Sequence, residues 1–134
     1  MKQVYFLIAL LALAAAFGYW RRRTDGRTKT QGSRLTLGAA ELGAPLGQRA
    51  TLLQFSSAFC SPCRATRQLL SQAVPSIPGV VHVELDAEAN LELVRRLNIM
   101  RTPTTLLLDA QGAVRNRVTG VPNLAELLAA IAAV

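Results

Sequence analysis

The 134-residue chain has room for one domain and an appendage, and 51% hydrophobic residues are ample for a core. Its formal charge of +7 is uneven: Lys2 gives +1, residues 21–34 hold six basic residues against Asp25, and residues 35–134 hold eight arginines against seven acids. The folded part is therefore nearly neutral and has no basic cluster with aromatics nearby, which argues against nucleic-acid binding.

Val4 to Trp20 is a run of seventeen residues without a charge. As a helix it measures about 25 Å, the short end of what crosses a bilayer. Tyr5 lies near one end, with Tyr19 and Trp20 at the other, as an interfacial aromatic belt would. Residues 1–20 are therefore expected to be a transmembrane anchor. A cleaved signal peptide is the rival, since Ala14-Ala15-Ala16 offers small residues. Signal peptides, however, place positive charge before the apolar run, whereas Arg21-Arg22-Arg23 follow it here. The same asymmetry puts the domain on the cytoplasmic side of a single-pass cell-membrane protein, with an extracytoplasmic domain as the alternative.

Arg21 to Ser33 has no apolar period and reads as a basic linker, with a reach of about 40 Å if extended. Its charge could also lie on anionic headgroups. Residues 34–134 form the expected domain. Arg34 to Leu37 is a possible short strand, and Gly38 to Gly47 a loop or single helical turn. Ala50 to Phe55, almost wholly apolar, reads as a strand buried on both faces.

Phe59-Cys60-Ser61-Pro62-Cys63-Arg64 follows, holding the chain's only two cysteines. A helix is expected from Ser61 to Val74, ended by Pro75 and Pro78-Gly79. The cysteines thus sit where a buried strand gives way to a helix. The free N–H groups and partial positive charge there stabilise a thiolate, so Cys60 is expected to have a lowered pKa, with Arg64 and Arg67 acting in the same sense. Cys60 would be the attacking thiolate, and Cys63, one turn further in, the resolving one. A structural zinc needs about four ligands, and two cysteines with His82 fall short within one chain, so no metal is expected.

Val80 to Leu85 is the next strand, with His82 a tolerated mid-strand residue. Asp86 is expected to cap a helix of about Ala89 to Leu97 whose Leu91, Val94 and Leu97 share a side. Met100 reads as packing and Arg101 as solvated. Thr102-Pro103-Thr104 leads into a strand ending at Asp109. Ala110-Gln111-Gly112 is a hairpin turn, and Ala113 to Thr119 its antiparallel partner, with Val114, Asn116 and Val118 alternating against Arg115, Arg117 and Thr119. Asn123 is a good N-cap for a last helix with a stripe of Leu124, Leu127, Leu128 and Ile131. The order predicts an α/β fold: a central mixed sheet with a right-handed parallel crossover and an antiparallel hairpin, flanked by helices.

From about residue 34 onward the chain resembles the thioredoxin family. Cys60-Ser61-Pro62-Cys63 at a strand-to-helix junction, Thr102-Pro103-Thr104 forty-three residues after Cys60, and Thr105 to Gly112 with its return strand and final helix carry the resemblance. It implies a cis bond before Pro103, a groove beside the sulfurs, and a substrate-binding set of Phe59, Thr102 and Pro103. It implies a thiol–disulfide oxidoreductase that reduces protein or small-molecule disulfides, needs a regenerating reductant and uses no dissociable cofactor. An outward-facing thiol oxidase or isomerase, and a non-catalytic binding module, are the alternatives. Membrane-anchored TlpA-like reductases are similar in the loop at residues 38–47 and in Pro-Thr-Thr, but their insertion between the central helix and strand is absent. Two departures stand out. Phe59 replaces the usual tryptophan, and Gln54 replaces the buried carboxylate thought to help deprotonate the second cysteine, so activation of Cys63 must use another group or be slower.

Overall fold

The computed structural model describes residues 1–30 and 35–134. A helix, α1, runs over Lys2–Thr24 with no residue buried and a mean hydropathy of 1.7 across its most apolar window. Arg21, Arg22 and Arg23 fall in its last turn, where cations oppose the negative helix end. The Arg23 guanidinium also lies 5.1 Å from the centre of the Tyr19 ring.

Short strand β1, Thr28–Thr30, pairs antiparallel with a later strand, Thr28 standing opposite Val118. The stretch expected to be a linker is thus helix to Thr24 and sheet edge at 28–30; residues 31–33 lie outside the described residues. Asp25 forms an ion pair with Arg101. Gly26 N–H donates to Thr119 O at 2.7 Å and its carbonyl accepts from Asn123 N–H at 3.2 Å. Gly26 has φ +80, and a Cβ there would collide with the Val121 carbonyl, so glycine permits this docking. Arg34 likewise lies outside the described residues. Leu37 is buried, and Thr36 makes an isolated antiparallel bridge to Ala113.

The remaining elements follow the expected order. They are α2 (Ala39–Leu42), β2 (Ala50–Ser56), α3 (Ser61–Ala73), β3 (Val80–Asp86), α4 (Leu91–Arg96), β4 (Thr104–Asp109), β5 (Val114–Thr119) and α5 (Leu124–Ala132). A short 3-10 turn, Val74–Ser76, carries α3 past Pro75. Among the described residues the sheet has five strands in the order β1-β5-β4-β2-β3. β2 pairs parallel with β3, and β2 with β4 and β4 with β5 antiparallel.

β2 is buried at every position because both faces are covered. On one side Leu53 and Phe55 pack with Leu106, Leu108, Leu42, Leu93 and Leu97, under α2 and α4. On the other, Ala50 and Leu52 pack with Leu107, Leu70, Leu127 and Ile131, under α3 and α5. Each fully buried leucine contributes about 2 kcal/mol.

Four local readings change. The buried residues of the α4 region are Leu93 and Leu97, while Leu91 opens the helix exposed. Asp86 accepts from Glu88 N–H at 2.9 Å and so caps the turn before α4, not α4 itself. Val114 and Val118 lie on opposite faces of the sheet. The pairing slips between Leu107 and Leu108, which face Asn116 and Val114, so Arg115 is the extra residue of a bulge and reverses the alternation. In α5 the buried pair is Leu127 and Ile131, with Leu124 and Leu128 partly exposed, and Asn123 caps it by accepting from Ala125 and Glu126 N–H.

Candidate functional site

The end of β2 delivers Ser56 to Phe59 into the first turn of α3. Cys60 is the N-cap of α3, and its Sγ accepts the N–H of Cys63 at 3.2 Å. Pro62 lies in the first turn, where its missing N–H removes nothing the helix needs. Cys60 and Cys63 are joined as a disulfide, their Cα atoms 5.2 Å apart. Cys60 is partly exposed, whereas Cys63 is buried. One sulfur therefore meets solvent at the positive end of a helix, and the other backs it from inside.

Phe59 precedes the pair in the left-handed region, φ +58, with its ring fully exposed. A residue with a Cβ is disfavoured there by roughly 1–2 kcal/mol. The conformation turns the chain from strand into helix and throws the ring outward beside the disulfide.

Across from the sulfurs, the Thr102–Pro103 bond is cis. The Thr102 hydroxyl lies 2.8 Å from the Ser57 hydroxyl and 3.9 Å from Cys60 Sγ, which ties this loop to the approach to α3. Pro103 is buried and its carbonyl accepts from Gly120 N–H at 2.8 Å. Since Thr119 also bonds Gly26, the end of α1 docks onto the same corner that carries Thr102 and Pro103. The structure thus brings Cys60, Cys63, Thr102 and Pro103 together. Met100, expected to pack, is instead largely exposed, and Arg101 is engaged with Asp25.

Arg67, expected to act on Cys60, is committed elsewhere. Its guanidinium clasps Glu84 in two hydrogen bonds of 2.6 and 2.7 Å. Arg67 holds the Glu84 carboxyl below the usual carboxylate range against the effect of burial, helped by the Ser56 hydroxyl. Arg64 bonds the Ser61 hydroxyl at 3.2 Å in the first turn.

Behind the disulfide lies an arrangement that sequence reading missed. Gln54 is wholly buried on β2. Its Nε2 donates to the Cys63 carbonyl at 3.0 Å and to the Ser56 hydroxyl at 2.9 Å. Its Oε1 lies 3.0 Å from Nε2 of His82 on β3. His82, read as a tolerated strand residue, is a hydrogen-bonded member of the site's rear wall. Burial lowers its pKa; Glu84 pulls it up and Arg67 pushes it further down. The signal in sequence was present but faint: the only histidine, in a strand expected to join the sheet, while a glutamine stood in for an acid.

A family model described as Thioredoxin matches residues 40–133. Thioredoxin H5 of Oryza sativa subsp. japonica is 28% identical over 72 residues, 54% of this chain and 53% of its own length. A thioredoxin H-type protein of Oryza sativa subsp. indica is 25% identical over 72 residues, 54% of this chain and 58% of its own. The chain thus spans about half the length of the curated relatives it matches. Among solved structures, the short form of thioredoxin f from spinach chloroplast is 28% identical, covering 65% of this chain and 77% of that one at a TM-score of 0.57. Oxidised mitochondrial thioredoxin 3 of Saccharomyces cerevisiae, 20% identical over 65% of this chain and 80% of its own at a TM-score of 0.57, shares the fold.

Proposed function

The chain belongs to the thioredoxin family, and from that premise we propose that it is a thiol–disulfide oxidoreductase, tethered to a membrane by α1, that reduces disulfides through Cys60 and Cys63. The observation that carries the reading is the asymmetry of the pair: a partly exposed sulfur caps α3, and a buried partner stands within bonding distance. In the dithiol form, Cys60 thiolate attacks a substrate disulfide and expels one substrate thiolate. Cys63 then attacks the Cys60 sulfur, releases the second substrate thiolate and closes the Cys60–Cys63 bond. The two protein thiols are oxidised and the substrate disulfide is reduced. A reductant returns the pair to dithiol, and no cofactor takes part.

Two features favour Cys60 as the nucleophile. The N–H of Cys63 points at its sulfur, and the aligned peptide dipoles at the start of the helix add positive potential. Phe59, Thr102 and Pro103 are assigned to substrate contact, because the exposed ring and the Thr102 loop flank the accessible sulfur. Residues 1–20 act as the anchor, and the arginines that follow favour a cytoplasmic domain. A reducing compartment would then set the direction of exchange.

The test is insulin reduction driven by dithiothreitol, followed as turbidity, using the full chain in detergent. Wild type should precipitate the insulin B chain well above the uncatalysed rate and Cys60→Ser should not. Equal rates for wild type, variant and buffer would defeat the reading.

A further inference from the structure

The hydrogen bonds behind the disulfide admit a single proton arrangement. The Cys63 carbonyl can only accept, so the nitrogen end of the Gln54 amide must face it. Its second N–H goes to Ser56. Gln54 Oε1 is then left to face His82, and an oxygen can only accept. His82 Nε2 therefore carries a hydrogen, whether the ring is neutral or charged. His82 consequently cannot take the Cys63 proton through Gln54. It can orient the amide, and it can bring a charge within two hydrogen bonds of the Cys63 main chain.

Few charges surround the ring. Among the described residues, the charged groups acting on His82 are Glu84 on its own strand and Arg67 on α3. These two neutralise each other in a bidentate pair. The β2 residue opposite His82 is Leu52, which is apolar. The buried Thr105 hydroxyl, opposite Gln54 on β4, has no hydrogen-bond partner among the described residues. Among the described residues, the hydrogen-bonded path from His82 to Cys63 runs through Gln54, which does not titrate.

We propose that His82 is a positioning residue for the resolving step: its Nε2–H holds the Gln54 amide against Cys63, and its positive form stabilises the Cys63 thiolate. This role rests on the thiol–disulfide exchange reading. In the step itself, the Cys63 proton leaves to water, Cys63 sulfur bonds Cys60 sulfur, and the departing thiol group takes the electron pair of the broken bond. A cation held near the sulfur increases the thiolate fraction at a given pH. A lowering of one pKa unit, on the order of what one nearby opposite charge produces, raises that fraction about tenfold.

The chromogenic disulfide dithiobis-nitrobenzoate separates the two steps. Mixed with the reduced full chain in a stopped-flow instrument, it releases one coloured thiolate when Cys60 attacks and a second when Cys63 resolves. The second phase should rise about tenfold per pH unit where the charge on His82 is constant and less steeply where it titrates, below the ordinary histidine range. In His82→Gln, which keeps a donor toward Gln54 but carries no charge, the slope should stay near tenfold per unit throughout. At the acid end its second phase should be about tenfold slower than wild type. His82→Leu, without the donor, should in addition slow the second phase at every pH, while the first phase is unchanged in both. Superimposable second-phase profiles for all three proteins would overturn the role of His82. Absence of any two-phase release in wild type would instead overturn the exchange reading itself.

Discussion

Gln54 Nε2 donates a 3.0 Å hydrogen bond to the main-chain oxygen of Cys63. A neutral amide thus stands where the family's usual pattern has an acid, and it stitches β2 to the first turn of α3. Gln54→Leu keeps the bulk but leaves the Cys63 carbonyl and the Ser56 hydroxyl without this partner. A buried polar group left unpaired costs about 1–3 kcal/mol. Urea unfolding should show a loss in that range with an unchanged denaturant slope. A stability equal to wild type would show that water replaces the amide without penalty.

The burial difference between the two sulfurs predicts a trapped intermediate. Cys63→Ser should still attack a disulfide through Cys60 but have no thiol to resolve the product. Mass spectrometry under non-reducing conditions should find the full chain carrying one insulin chain as a mixed disulfide. Cys60→Ser should show no such adduct, because its remaining thiol is buried. Equal trapping by both variants would mean that the two sulfurs are equally accessible.

Phe59 holds an exposed ring on a left-handed backbone. Phe59→Gly relieves the backbone but loosens the unfolded chain, and these effects oppose each other. Stability should therefore stay within about 1 kcal/mol of wild type. Insulin turnover should fall through a raised KM, since an apolar contact beside Cys60 is lost. An unchanged KM would remove Phe59 from the substrate surface.

Asp109 closes the β4–β5 hairpin. Its Oδ1 accepts from Gln111 and Ala113 N–H at 3.0 and 2.9 Å, and its Oδ2 from Arg115 at 2.7 Å. Burial alone would raise its pKa, but the Ala113 N–H, Arg115 and the Gln111 N–H outweigh it and the net shift is downward. A carboxyl depressed in the folded state contributes stability above its unfolded pKa of about 3.9, lost as pH falls through the lower folded value. Asp109→Asn should thus be less stable than wild type by a constant amount at neutral pH. The gap should close below about pH 4. A gap unchanged down to the acid limit would exclude charge as the cause.

The arginines at the end of α1 predict topology. A membrane-impermeant maleimide applied to intact cells, after permeant reduction, should leave Cys60 unlabelled until the membrane is opened. Removal of residues 1–24 should release the protein from the membrane fraction. Labelling of intact cells would place the domain outside and shift the expected direction toward oxidation.

Much of this protein was legible in its residues. The C-x-x-C pair, the proline after Thr102 and the alternation of apolar runs and helical stripes are local patterns, and local patterns specify elements and their order. The domain follows that order from β2 to α5. What only the tertiary structure decided depends on pairings between distant segments. His82 meets Gln54 across 28 residues because β3 lies parallel to β2 in one register, and a slip of one residue would turn the ring to the opposite face. The bulge at Leu107 and Leu108 divides Val114 from Val118, against a simple alternation. Thr28–Thr30, polar and without period, becomes a strand because the free edge of β5 offers partners for its backbone. Arg67 is drawn from the sulfurs to Glu84, since a bidentate carboxylate is within its reach. Register and competition among partners are properties of the assembled sheet, and no window of sequence contains them.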